Sequence, residues 1–114
     1  AQKRLADKWD IFVVPKLGCR CVSDQPWVTI AETCELIIAC VAADEREKAQ
    51  ELFANIQHFQ LDDGSWWTGY VFSDHVHWPD EKPTWTAAAV LLAADALTGI
   101  TPGALFFSPN NKIF

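Results

Sequence analysis

The chain contains no methionine, and none of its apolar runs approaches the roughly 18 residues that a membrane-spanning helix needs. Ala1 to Asp10 is basic at Lys3, Arg4 and Lys8 but has no apolar core, which excludes a secretory signal in that stretch. Positive charge is scarce: 9 Lys and Arg face 15 Asp and Glu, for a net charge of -6. That balance excludes a nucleic-acid backbone or an anionic membrane surface as the main partner, because both repel an acidic chain. What is present is enough for a core, since 50% of the 114 residues are hydrophobic and 21% are charged. One compact unit is the most that this length allows. A chain that opens on Ala and lacks Met is expected to be a piece of something longer.

Cys19, Cys21, Cys34 and Cys40 stand in a chain without an export signal, which favours reduced thiols and a cytoplasmic protein. Cys34 and Cys40 fall in an apolar helical stretch, where a thiol packs as a small hydrophobe. The Cys19-Arg20-Cys21 spacing is wrong for a zinc knuckle, and adding His75 and His77 is required by nothing in the pattern. No cofactor follows from these residues.

Four helices are expected. The first spans about 2–13, with Leu5, Trp9 and Phe12 on one stripe and Pro15 and Gly18 beyond its end. The second, about 27–43, carries Ile30, Cys34, Ile37, Ile38 and Val41. Asp44 and Glu47 suggest a capping box for the third, about 45–59, whose Ala49, Leu52, Phe53, Ile56 and Phe59 share a face. The fourth, about 85–97 with Thr84 as its cap, is apolar nearly all round and is expected to be buried on every side. Thr98-Gly99 is its C-terminal signal. The stretch between helices three and four, 60–83, shows no helical period but is dense in aromatics. Trp27-Val-Thr-Ile-Ala31 precedes the similar Trp85-Thr-Ala-Ala-Ala89 by 58 residues, so the chain reads as two units, 1–43 and 44–99, with a tail at 100–114.

Gln60-Leu-Asp-Asp-Gly64-Ser-Trp66 fits Q-x3-G-x-W without a gap. A Gln amide can satisfy loop backbone, Gly64 permits a positive φ, and Trp66 offers a large apolar plate. The motif resembles the QW motif of the terpenoid cyclase/protein prenyltransferase superfamily, and the stretch from Asp62 to Leu97 is similar to bacterial prenyltransferase-like proteins. Upstream, Lys48-Ala49 and Phe53 match the motif's positions, whereas Ala54 departs from the usual branched residue.

The resemblance implies an all-α protein, an α/α toroid of helical hairpins in which this chain supplies two outer/inner helix pairs. It also implies an isoprenoid as the small-molecule partner, bound in an aromatic cavity, because π faces stabilise developing cations. Residues at the starts of the inner helices would line that cavity. Glu32, Asp74 and His75 are then the catalytic candidates, with Glu32 a general acid whose pKa burial would raise. Trp27, Tyr70, His77, Trp78, Glu81 and Trp85 would contact substrate, and Gln60, Gly64 and Trp66 form the structural motif. Asp95 would face a cavity, pair with a neighbour or lie exposed near the helix end. The family's D-x-D-D and D-D-x-x-D signatures are absent, since Gln60 and Trp66 occupy the positions that would complete them. Mg or Zn enters only by analogy with the family.

Two other readings fit the same residues. One is an α/α-toroid carbohydrate-active enzyme, with Trp faces stacked on sugars and carboxylates as acid and base. The other is a non-catalytic helical-repeat association module. Self-association, or the remainder of a longer chain, would complete the apolar core in either case.

Overall fold

The computed structural model describes residues 1–111. It has four helices, α1 (Gln2–Phe12), α2 (Ile30–Ala42), α3 (Arg46–Ile56) and α4 (Thr84–Thr98). Between them run five short strands: β1 (Val13–Val14), β2 (Gly18–Arg20), β3 (Trp27–Thr29), β4 (Gly69–Val71) and β5 (Val76–His77). All neighbours pair antiparallel in the order β1-β2-β3-β4-β5. The expected all-α toroid class is therefore wrong: the chain is mixed, with helices packed on an antiparallel sheet. Strands of two or three residues are too short to display a two-residue alternation, so the sequence pattern passed over them. Trp27–Thr29 read as the start of a helix because it is apolar, yet Trp, Val and Thr all fit a pleated strand.

Helix α2 sits at the centre, packed on α3, α4 and β2. Its Ile30, Cys34, Ile37 and Cys40 are wholly buried with Leu52 and Ile56 of α3 and Ala93 of α4. The strand-to-helix junction is fixed by Thr33. Its hydroxyl donates to Thr29 O at 2.6 Å and accepts from Cys19 N at 2.8 Å, joining β2, β3 and α2. Gly18 lies beneath it at φ +145, and a Cβ there would come within 2.7 Å of Thr33 Oγ1. Only glycine satisfies both constraints.

Helix α3 begins at Arg46 with Glu45 before it and no side-chain cap, so the expected Asp44/Glu47 capping box does not form. Asp44 instead takes a left-handed turn at φ 61. A 3-10 turn, Gln57–Phe59, extends α3 and buries Phe59. Thr84 is the first residue of α4 rather than its cap, which is Pro83, while Gly99 closes the helix at φ 68.

Helix α4 is not buried on every side. Thr86, Val90, Ala93, Ala96 and Leu97 face the core, but Trp85, Leu91 and Leu92 are 55%, 72% and 53% exposed. The tail forms a 3-10 segment, Pro102–Phe107, tied back by Asp95, whose carboxylate accepts from Thr101 N at 2.7 Å and Thr101 Oγ1 at 2.6 Å. Those bonds hold the Asp95 carboxyl below the usual range. The last three residues of the expected tail lie outside the described residues. Among the described residues, no helix is long and apolar enough to cross a membrane.

Candidate functional site

Sheet register decides which candidate side chains meet. Tyr70 pairs with Val28 on one side and His77 on the other, placing these three on one face. Trp27, Thr29 and Gly69 lie on the opposite face. Trp78 joins that second face, because its N–H donates to Gly69 O at 3.0 Å and continues the β4–β5 ladder. Residues that the toroid reading placed around one mouth are thus divided between two sides of the sheet.

On the second face, Trp27 and Trp78 form an open corner. Their rings lie 5.1 Å apart at 70°, an edge-on arrangement. Trp27 Nε1 donates to Trp78 O at 2.9 Å, fixing the indole. Gly69 makes this possible, since a Cβ there would run into the Trp27 indole and approach Val28 O at 2.7 Å. The peptide between Trp78 and Pro79 is cis. Trp78 remains 55% exposed, as does much of Val76 beside it. Two aromatic surfaces, one on β3 and one just beyond β5, make a platform of the kind that stacks on the apolar face of a sugar ring.

The first face is more polar. The His77 ring stacks on Trp67 at 4.5 Å and 3°, and touches Tyr70 and the buried Phe59. Desolvation, followed by repulsion from His58, pushes the His77 pKa down. Tyr70 Oη and His75 Nδ1 are 3.1 Å apart, and the Lys82 ammonium stands 4.2 Å above Trp67. Sequence reasoning missed Trp67, His58 and Lys82. The Trp66-Trp67 doublet was visible, but only the first belonged to a motif.

The remaining candidates are scattered. Asp74 is exposed in the β4–β5 turn and accepts from Ser73 Oγ at 3.2 Å. Glu81 contributes its main chain, accepting from Thr68 N and Oγ1, while its side chain is exposed. Trp85 lies on the outer side of α4. Glu32 is in the first turn of α2, where the helix dipole favours a carboxylate. One of its oxygens, Oε2, is buried without a hydrogen-bond partner among the described residues. After burial itself, its charge is the next cause raising the thiols of Cys19 (pushed up to about 11), Cys34 (about 12) and Cys21.

The Gln60–Trp66 segment is a closed turn. Gln60 bridges Trp66, the Gln60 amide donates to Gly64 O at 3.2 Å, and Trp66 is buried. Asp63 accepts from Ser65 Oγ and N, which holds its carboxyl low. Among the described residues, no three His, Cys, Asp or Glu side chains converge on a metal position, and Cys19 and Cys21 are not brought to His75 and His77. A cleft of about 370 Å3 lies under α1, lined by Leu5, Trp9, Phe12, Leu36 and Ala39, and holds none of the candidate site residues.

No protein-family model matches the chain. Over 103 residues, 90% of its length, it is 53% identical to the MMP endo-(1,4)-3-O-methyl-alpha-D-mannosidase of Mycolicibacterium hassiacum. The chain spans about 29% of that protein's length. This similarity overturns the prenyltransferase and terpene-cyclase resemblance, and with it the isoprenoid partner, because the relative's described activity is on a carbohydrate. The Q-x3-G-x-W match marks a local turn, not that superfamily.

Proposed function

We propose that the chain is part of an endo-acting glycoside hydrolase that cuts α-(1,4)-linked 3-O-methyl-D-mannose polysaccharide. The observation that carries this reading is the 53% identity over 90% of the chain to a mannosidase of that description. The Trp27–Trp78 corner supports it, since a polymer of methylated sugars presents repeated apolar faces and a half-buried Trp27 beside an exposed Trp78 can hold one in register. Hydrolysis adds water across the glycosidic C–O bond and needs a carboxylic acid to protonate the departing oxygen. A second carboxylate activates water or attacks the sugar. Glu32, with a buried oxygen that has no hydrogen-bond partner among the described residues, is our candidate for the acid; Asp74 and His75 are carried as secondary candidates.

In this reading the segment belongs to a longer protein whose other parts cover the outer side of α4, where Trp85, Leu91 and Leu92 form an apolar strip. Four unpaired cysteines favour a cytoplasmic setting. The test is incubation of the protein carrying this chain with the methylated polysaccharide and with an α-(1,4)-glucan. New reducing ends from the first substrate alone are expected. None from either removes the proposal.

A further inference from the structure

The Trp27–Trp78 corner has a distinctive chemical property: both of its N–H donors are already engaged within the protein. The Trp27 indole N–H donates to Trp78 O, and the Trp78 main-chain N–H donates to Gly69 O. Val76, 48% exposed, extends the same face. What the corner offers a ligand is therefore two ring surfaces meeting at 70° with an aliphatic side chain beside them. A free sugar hydroxyl placed in that angle would give up water and meet no free N–H donor, which costs binding. A methyl ether in the same place has no donor to leave unsatisfied, and its methyl group would touch both rings.

Resting on the glycosidase reading above, we infer that this corner is the seat of the 3-O-methyl group of a mannose unit. Trp27 and Trp78 thus determine the preference for methylated over unmethylated α-(1,4)-mannoside. Gly69 has a positioning role, because it lets the Trp27 ring lie across the strand and close the angle. One methyl group in an apolar seat discriminates by about tenfold or more.

The experiment compares kcat/KM of the protein carrying this chain on two α-(1,4)-linked manno-oligosaccharides of equal length, one 3-O-methylated and one not. The native protein is expected to favour the methylated oligomer by about tenfold. In Trp78→Ala the ratio should fall towards one, and in Trp78→Phe, which keeps an apolar plate, most of it should remain. Circular dichroism confirms that each variant is folded. Cleavage by the native protein with no methyl preference overturns the inference while leaving the glycosidase reading intact. So does a Trp78→Ala variant that loses rate on both oligomers but keeps the ratio. Failure of the native protein to cleave either oligomer removes the glycosidase reading and the inference together.

Discussion

Replacing Gly69 with alanine tests whether the aromatic corner is built as described. The backbone at Gly69 is extended and acceptable to alanine, so the cost is steric. The added methyl would meet the Trp27 indole and sit 2.7 Å from Val28 O, inside any normal carbon–oxygen contact. Val28 is wholly buried and its main chain is held in the ladder, so the indole is the group able to move. Moving it sacrifices the Trp27 Nε1 bond to Trp78 O, about 1 kcal/mol, and the ring contact, about 0.5–1.5 kcal/mol. With the remaining overpacking, Gly69→Ala should destabilise the protein by about 2–4 kcal/mol. Urea unfolding of the protein carrying this chain, followed by far-ultraviolet circular dichroism, gives the change. The Trp27→Ala background supplies the control. There the clash with the indole is gone while that with the Val28 carbonyl remains, and a coupling energy of at least about 1 kcal/mol is expected. A Gly69→Ala cost below about 0.5 kcal/mol, or strictly additive substitutions, would refute the geometry.

Three further outcomes follow from individual groups. The folded chain holds His77 less basic than the unfolded chain does, so the unfolded state takes up the proton first as pH falls through about 6.5. Stability should therefore decline on acidification through that region, and His77→Phe should flatten the decline; an unchanged pH profile in the variant would argue against it. Thiol alkylation at pH 8 should modify Cys21 first and leave Cys19, Cys34 and Cys40 protected in the native state, since burial raises those three to about 11, 12 and 11. Mass spectrometry of partially labelled protein reads the order. Glu32→Gln should lower kcat by about a hundredfold or more while the melting temperature and KM change little; unchanged turnover would leave Glu32 as a helix-dipole residue only.

How much of this was legible in the sequence depends on the length of each pattern. Ala49, Leu52 and Ile56 recur at helical spacing, and α3 lies where they place it, with those residues buried. The strands could not be read that way, because Trp27–Thr29 and Gly69–Val71 each offer three residues and their partners are set by tertiary pairing. Helix α4 misled for a different reason. Apolar composition reports what a helix can be covered by, and Leu91 and Leu92 stay largely exposed among the described residues.

Trp27 and Trp78 were both named as contact residues, yet 51 positions separate them and only the register across Gly69 brings them together. The same register sends Tyr70 and His77 to the other face, which no spacing rule foretells. The Q-x3-G-x-W segment shows the limit of a short motif. Its Gln60–Gly64 bond and Gln60–Trp66 bridge satisfy a turn that many folds can use, so it reported local conformation while suggesting the wrong chemistry.

The proposed reaction is an endo-acting cut in a methylated mannose polymer. It is tested most directly by mass spectrometry of the products formed when the protein carrying this chain meets α-(1,4)-linked 3-O-methylmannose polysaccharide. Early release of oligomers of several lengths from internal cleavage is expected. Intact polymer after prolonged incubation, or release of single sugars alone from one end, would contradict it.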